Sequence, residues 1–283
     1  MQTSELYLLK KNMDAIKMLD EKARKIRKHV INMIFEAGSG HPGGSLSCVD
    51  ILTALYFYTM RHNPMEPEWA DRDRFILSKG HAAPALYAIL AEAGYFPVKE
   101  LLSLRKIGSM LQGHPDSDVS GVDVSSGSLG QGLSIASGLA LAAKLDNKAY
   151  RVFALLGDGE CDEGQVWEAA IFASHYKLNN LTAIVDRNGL QIDGPTEKIM
   201  CLEPIVEKWR AFGWHVSEID GNKMTEIIGA LNEAKITSGR PTVIIANTLK
   251  GKGVSFMEGI NAFHGKTLSK EELKIALQEL GGD

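Results

Sequence analysis

The stretch LLGDGECDEGQVWEAA, residues 155–170, joins a short apolar run to two glycines and a cluster of acidic residues. The run FALLG at 153–157 is apolar without alternation, as is typical of a strand that other layers cover on both faces. A helical pattern follows the acids, at Trp167, Ala170/Ile171, Ser174 and Leu178. The stretch therefore predicts a buried strand, a tight acidic turn and a helix.

Two more runs have the character of this strand, LTAIVD at 181–186 and TVIIAN at 242–247. A second helical pattern at 227–234 lies between them, and a long amphipathic stripe occupies residues 16–34. Strands that alternate with helices indicate a parallel sheet between helical layers. We therefore predict an α/β fold, a three-layer sandwich with a mainly parallel sheet between helices, forming a single domain over residues 1–283.

The segment GSLGQGLSIASGLALAAK at 127–144 has small or apolar residues on every side. A helix of this composition is buried all round or packs closely against another helix. The segment therefore indicates a close contact with another subunit.

Composition narrows the class of protein. The chain has 283 residues, 45% hydrophobic and 23% charged, with a net charge of −4. These values describe a soluble globular protein, and without a basic stripe we expect no nucleic-acid partner. The three cysteines, Cys48, Cys161 and Cys201, are widely spaced and predict free thiols in a reducing compartment. Since the N-terminus has neither a signal-peptide core nor a run of about 18 apolar residues, we expect no membrane segment and a cytoplasmic location.

The acidic turn has the position of a ligand site, because parallel sheets bind ligands at the carboxyl ends of their strands. Gly157 and Gly159 let the backbone approach a ligand, and the start of the next helix favours phosphate. The neighbouring acids would repel phosphate unless a divalent cation such as Mg²⁺ or Ca²⁺ lies between them. Asp158 is the expected ligand, with Asn188 after the following strand as a second one. Because Asp between glycines is also an ordinary turn composition, the cation interpretation depends on Asn188.

GDGE at 157–160, followed by Asn188, resembles the metal and diphosphate motif of thiamine-diphosphate enzymes. Further stretches narrow the resemblance to the transketolases: GSGHPGGSLS (38–47), DRFILSKGHAAPALYAIL (73–90), GHP (113–115), VDVSSGSLGQGL (122–133) and TLKGKGVSFME through FHGKTL (248–268). They follow the family's order and span almost the whole chain. The resemblance implies the thiamine-diphosphate-binding fold.

The resemblance also implies roles for individual residues. The catalytic residues would be His41, His114, His264 and Glu163, the last linking two active sites across a subunit interface. The metal, Mg²⁺ with Ca²⁺ or Mn²⁺ as alternatives, would be bound by Asp158, Asn188 and the backbone carbonyl of Leu190. Contacts to thiamine diphosphate would come from His81, Gly127, Ser128, Leu129, Gly157, Gly159, Asn188, Lys250 and His264.

Other titratable residues receive no role at the site. Glu160 and Asp162 are expected to be solvated acids that suit the positive end of the following helix. Three histidines match no motif and are expected to be structural: His62, His175 and His215.

By resemblance, the chain is the N-terminal, diphosphate-binding subunit of a split transketolase. Such an enzyme transfers a two-carbon ketol unit from a ketose phosphate to an aldose phosphate. Family members are typically much longer, so the pyrimidine-binding and C-terminal domains are expected to be absent here. The expected partner is a C-terminal subunit that carries the pyrimidine-binding domain, in a heterotetramer with two copies of each chain.

Two alternatives stay open. Another reaction on the same cofactor, as in deoxyxylulose-phosphate synthase or a pyruvate-dehydrogenase-type decarboxylase, would keep the fold. The histidines of SGHPGG, SKGHA and GHP favour sugar transfer over this first alternative. The second is a module that binds the cofactor or a partner without turnover, and the complete set of motif histidines argues against it.

Overall fold

The computed structural model describes the backbone of residues 2–282 and the side chains of residues 13–282. The α-helices within that range are α1 (Gln2–Ala37), α2 (Pro42–Ser47), α3 (Val49–Ala54), α4 (Ala83–Ala93), α5 (Gln131–Leu145), α6 (Gly164–His175), α7 (Thr196–Ile199), α8 (Ile205–Ala211), α9 (Met224–Ile236) and α10 (Lys270–Glu279). The strands are β1 (Arg74–Leu77), β2 (Val152–Gly157), β3 (Leu181–Arg187), β4 (Leu190–Gln191), β5 (Gly194–Pro195), β6 (His215–Asp220) and β7 (Thr242–Asn247).

A five-stranded sheet in the order β1-β2-β3-β7-β6 forms the centre of the fold. All its neighbouring strands are parallel, whereas β4 and β5 form a small antiparallel pair beside it. In this register Gly157 pairs with Asp186, and Asp186 pairs with Ala246. The carboxyl ends of three central strands therefore meet at one edge of the sheet.

Two hydrophobic cores lie on opposite faces of the sheet. Side chains alternate along β2, so that Phe153 and Leu155 pack into one core and Ala154 and Leu156 into the other. The first core includes α1, α3, α4 and α9, and the second includes α5, α6 and α8. The predicted three-layer sandwich is confirmed.

The predicted elements match the structure closely. The three expected strands occur with bounds that differ by at most a residue from β2, β3 and β7, and α9 covers the pattern at 227–234. Within α1, the stripe of apolar residues is buried, as at Leu19, Ile26 and Val30. The helix expected at 127–144 begins only at Gln131, because residues 127–130 turn at the edge of the binding pocket.

Two strands of the sheet, β1 and β6, were not predicted. β1 has only four residues, and β6 is an edge strand whose side chains are half-buried or exposed, so neither has a long apolar run. The three cysteines are free thiols, as expected. Within residues 2–282, no helix combines the length and apolar character needed to cross a membrane.

Candidate active site

A pocket of about 400 Å³ opens at the carboxyl ends of the central strands. Most residues that the sequence singled out line it: His41, His81, His114, Gly127, Leu129, Gly157, Asp158, Gly159, Asn188, Leu190, Lys250 and His264. Ser128 lies in an adjoining surface cavity that shares His114 and Gly127 with the pocket. Glu163 is exposed just before α6 and lies outside the lining of both cavities. The fold therefore brings together residues that are up to 223 positions apart in sequence, from His41 to His264.

The floor of the pocket is the turn between β2 and α6. Asp158 is only 3% exposed, and its carboxylate accepts hydrogen bonds from the backbone N–H groups of Gly159, at 2.9 Å, and Gly189, at 2.6 Å. Burial, and next the nearby carboxylate of Asp186, raise the pKa of Asp158 to about 6. A bound cation would compensate this buried charge.

Asn188 and Leu190 border the same floor as Asp158. The side-chain oxygen of Asn188 accepts from the Leu190 N–H at 3.2 Å, which fixes the amide within the turn. The carbonyl of Leu190 accepts a hydrogen bond from the Lys250 ammonium at 3.2 Å. One carboxylate, one amide and one carbonyl oxygen are the ligand types that Mg²⁺ takes when substrate phosphates supply the remaining positions. Within the described residues, no cluster of three or more His, Cys, Asp or Glu side chains is suited to a metal.

Four imidazoles also line the pocket. The ring of His41 lies 5.3 Å from that of His81 and 5.4 Å from that of His264, measured between centroids. His81 and His264 are 5.3 Å apart. His114 completes the group at the mouth, where a Cβ on Gly127 would approach its ring to 3.3 Å.

These imidazoles are neutral at pH 7. Burial, followed by the charge of Arg105, lowers the pKa of His41 to about 4, and burial with the charge of Lys250 does the same to His264. Burial and the Lys79 charge hold the pKa of His81 well below its usual value. A neutral ring can donate at one nitrogen and accept at the other, which suits proton exchange with hydroxyl and carbonyl oxygens of a ligand.

Lys250 is buried in the pocket wall, with only 1% of its surface exposed. Its ammonium lies 3.0 Å from Nδ1 of His264, so the lysine donates and the neutral imidazole carries its proton on Nε2. Burial, and next the charge of Lys79, lower the pKa of Lys250 to about 8. Lys250 therefore supplies a positive charge next to the ring of His264 at neutral pH.

A second buried lysine, Lys79, was not predicted to belong to the site. Its ammonium forms an ion pair with Asp186 at the end of β3 and donates to the carbonyl of Gly44 at 2.8 Å. Asp186 also accepts from the hydroxyls of Ser47, at 2.6 Å, and Thr248. Burial, the largest single influence, lowers the pKa of Lys79, but Asp186, together with Cys48 and Asp158, outweighs burial and the pKa is raised. The pair fixes four chain segments beneath the histidines.

Glu160 was expected to be solvated, and that expectation was wrong. Its carboxylate is 3% exposed and accepts from the N–H groups of Gly130, at 2.8 Å, and Gly157, at 2.9 Å, and from the hydroxyl of Ser78. The neighbouring Asp162 is exposed, as predicted. Local sequence did not distinguish the two acids because the partners of Glu160 come from distant segments.

Arg105 is another residue that the sequence argument missed. Its backbone has a positive φ of 58°, and its guanidinium donates to the Ser39 hydroxyl at 2.5 Å. It also fills the space beside Gly113, where a Cβ would lie 2.7 Å from a guanidinium nitrogen. Arg105 thereby joins the loop before His41 to the loop before His114, and with burial its charge lowers the pKa of both rings.

The pocket fits a diphosphate bound through a cation. Its floor has the three oxygen donors, its wall has the Lys250 ammonium, and Nδ1 of His41 is buried without a hydrogen-bond partner among the described residues. An unpaired buried nitrogen of this kind costs free energy until a ligand occupies it. Two exposed apolar side chains, Leu129 and Ile192, also line the pocket.

Comparison with known proteins assigns the chain to a family. Residues 19–283 match the family model described as "Transketolase, thiamine diphosphate binding domain". A 6-deoxy-6-sulfo-D-fructose transketolase subunit, SqwG, of Clostridium sp. (strain MSTE9) is 49% identical over 93% of this chain and 96% of its own length. An apulose-4-phosphate transketolase subunit of Phocaeicola vulgatus is 44% identical over 94% of each chain.

A solved structure shows the same likeness in three dimensions. The crystal structure of transketolase from Campylobacter jejuni superimposes with a TM-score of 0.90 and 35% sequence identity. The match covers 95% of this chain but 43% of the Campylobacter chain. The present chain thus spans almost the whole length of the two subunits. It spans less than half the length of the Campylobacter chain.

Proposed function

Because the chain belongs to the transketolase family through its thiamine diphosphate binding domain, we propose that it is the N-terminal, diphosphate-binding subunit of a two-chain transketolase. The reaction is transfer of a two-carbon ketol unit from a ketose phosphate to an aldose phosphate. The observation that carries the proposal is one pocket whose lining combines the oxygen donors of Asp158, Asn188 and Leu190 with a group of neutral histidines.

Asp158, Asn188 and the Leu190 carbonyl would hold Mg²⁺, with Ca²⁺ or Mn²⁺ as alternatives, against the diphosphate. Lys250 and His81 would approach the same anionic end, and the Gly127–Leu129 turn would border the rings of the cofactor. When bound, thiamine diphosphate supplies the nucleophilic carbon and the electron sink that ketol transfer requires.

The histidines would bind and exchange protons with the sugar. His41 and His264 lie 5.4 Å apart with nearly perpendicular rings, so two adjacent oxygens of one substrate can meet different rings. The proton of His264 is on Nε2, since Lys250 occupies Nδ1, and this nitrogen would donate to a carbonyl oxygen. His114 at the mouth would contact a hydroxyl of the same sugar.

The partner would cover an apolar face next to the pocket. Exposed apolar side chains occur along α5 and α6 and just after α6, at Ile135, Leu145, Ile171, Phe172 and Tyr176. Ile135 also borders the cavity that holds Ser128 and His114. This continuity supports a subunit contact that completes the active site, and Glu163, exposed just before α6, would reach across it. We propose a C-terminal subunit with the pyrimidine-binding domain as that partner, in a heterotetramer in the cytoplasm.

The experiment is a transfer assay on this chain, on the product of the neighbouring reading frame, and on their mixture, with Mg²⁺ and thiamine diphosphate. Xylulose 5-phosphate, 6-deoxy-6-sulfofructose, apulose 4-phosphate and pyruvate are tested as donors, and ribose 5-phosphate as the acceptor. We expect ketol transfer in the mixture alone. Full activity of this chain by itself would refute the two-chain arrangement. Turnover of pyruvate and of none of the sugar donors would show that the enzyme is a decarboxylase instead.

A histidine variant separates catalysis from binding. His264→Ala in the assembled complex should abolish ketose cleavage, whereas His175→Ala, at an exposed position outside the pocket, should not. Unchanged cleavage in His264→Ala would contradict the proposed role of the pocket histidines.

A further inference from the structure

Glu160 joins three segments that carry the proposed cofactor contacts. One carboxylate oxygen accepts from the hydroxyl of Ser78 and from the Gly130 N–H at 2.8 Å, and the other accepts from the Gly157 N–H at 2.9 Å. The Ser78 hydroxyl accepts in turn from the Gly132 N–H at 3.1 Å. A single buried side chain thereby connects the end of β1, the start of α5 and the end of β2.

Each of these bonds lies at the pocket lining or one residue from it, because Gly157 and Glu160 line the pocket themselves. Ser78 precedes Lys79 and His81, Gly130 follows Leu129, and Gly157 precedes Asp158. The diphosphate end of the site and its ring end are on different segments, and the Glu160 carboxylate is hydrogen-bonded to both. Displacement of the Gly127–Gly130 turn relative to Asp158 would therefore change the length of the site.

We infer that Glu160 is a positioning residue, which sets the separation between the diphosphate floor and the Gly127–Leu129 turn through these hydrogen bonds. The inference rests on the proposed function, because that function identifies the ligand. The hydrogen bonds of Glu160 do not depend on it. Partners that orient the residues in contact with a ligand typically change affinity by about 10- to 100-fold when they are removed.

The three hydrogen bonds of Glu160 determine which substitutions test the inference. All three partners donate, so the side chain at 160 must accept at both of its terminal atoms. In Glu160→Gln, the NH₂ group must face a backbone N–H whichever way the amide is oriented. In Glu160→Asp, the charge is kept, but the shorter side chain cannot reach both Gly157 and the Ser78–Gly130 side. Asp162→Asn, at the exposed acid of the same turn, is the matched control.

The first measurement is the Kd of thiamine diphosphate for the complex with its partner, by calorimetry at saturating Mg²⁺. We expect Glu160→Gln and Glu160→Asp to raise the Kd by about 10-fold or more, and Asp162→Asn to stay within about twofold. The melting temperature of each variant is recorded beside its Kd. A Kd in both Glu160 variants equal to that of the wild type would overturn the inference.

The second measurement is hydrogen exchange of the peptide covering residues 126–133 in the cofactor-free chain. Glu160→Gln should accelerate exchange there, with no change in a peptide of α9 on the other side of the sheet. If Glu160→Gln does not fold, Ser78→Ala is measured in the same way, because it removes one of the three hydrogen bonds of Glu160. Hydrogen exchange and a Kd equal to those of the wild type in Ser78→Ala would then refute the inference. If the wild type binds no thiamine diphosphate, the proposed function fails, whereas the exchange rates still decide the role of Glu160.

Discussion

The imidazoles of His41 and His264 lie 5.4 Å apart, with an angle of 84° between their planes, although 222 residues separate them in sequence. Both rings are neutral at pH 7, since the pKa of each is lowered to about 4. This pair occupies the centre of the pocket wall, where a sugar would meet two imidazoles at once. The lowered pKa values lead to the first prediction.

Stability should fall as pH decreases from about 6.5 to about 4 because of these two rings. The unfolded histidines bind protons near pH 6.5, whereas the folded ones bind them only near pH 4, so the unfolded state holds more protons in this window. His264→Gln should therefore lose less stability than the wild type between pH 7 and pH 5. Asp158, with its pKa raised to about 6, has the opposite effect in both proteins and cancels in the difference.

The measurement is denaturant unfolding at a series of pH values, with His175→Gln at an exposed position as the control. If both His175→Gln and His264→Gln showed the same dependence of unfolding free energy on pH as the wild type, the lowered pKa of His264 would be contradicted.

Two glycines of α5 should respond oppositely to alanine. A Cβ on Gly132 would lie 2.4 Å from the Ser78 side chain and 2.7 Å from its backbone, whereas a Cβ on Gly138 meets nothing within 4 Å. Gly132→Ala should destabilise the chain by about 1–3 kcal/mol through overpacking. Gly138→Ala should stabilise it by about 0.5–1 kcal/mol, because glycine is a poor helix former. Urea denaturation of both variants tests this contrast.

Gly138 also tests the proposed partner face. It lies on the exposed side of α5, where the partner would pack closely. Gly138→Ala should therefore weaken assembly with the partner in analytical ultracentrifugation, even though the isolated chain becomes more stable. Unchanged assembly would place the contact elsewhere on the chain.

The buried ion pair between Lys79 and Asp186 should be costly to break. Asp186→Asn leaves the ammonium of Lys79 buried without a counter-charge, and the expected loss is about 3–5 kcal/mol. The exposed pair of Lys148 and Asp71 is the control, because solvent screens its charges and Asp71→Asn should cost much less than Asp186→Asn. Equal losses of unfolding free energy in the two variants would show that Asp186 has no special role beneath the histidines.

Mg²⁺ and diphosphate should bind cooperatively. The proposed ligand set offers the cation one carboxylate, from Asp158, with oxygens of Asn188 and Leu190, so affinity for Mg²⁺ alone should be weak. Inorganic diphosphate supplies the missing oxygens and should tighten Mg²⁺ binding at least about 10-fold, by the reciprocity of linked equilibria. Calorimetry with each ligand, alone and after the other, measures the coupling, and tight binding of Mg²⁺ alone would contradict this ligand set.

In that experiment Asp158→Asn should abolish the coupling. Asp162→Asn changes an acid of the same turn that lies in solvent, and it should leave the coupling unchanged. Equal coupling in both variants would remove Asp158 from the proposed ligands.

Sequence reasoning located most of the pocket because its main signals are local. The apolar run before Asp158 and the one before Asn188 identify two strands, and parallel strands that neighbour each other must end at the same edge of the sheet. The motif histidines lie in glycine-containing loops, which is where a rigid scaffold carries its functional groups. The roles of these residues toward the cofactor and the sugar stay predictions.

The residues that were missed depend on contacts between distant segments. Glu160 meets Ser78, 82 positions away, and Lys79 meets Asp186, 107 positions away. A charged residue in a short turn has the same local signature whether it faces water or a buried donor. Arg105 likewise shows its function only through its contacts with Ser39 and Gly113.

The sequence by itself therefore determined three central strands, the parallel character of the sheet and the edge at which the acidic turn and Asn188 meet, because periodicity and chain direction are properties of contiguous residues. Tertiary structure alone decided which charges are buried and paired. Burial and electrostatic pairing arise only when segments far apart in the chain exclude water from the same space.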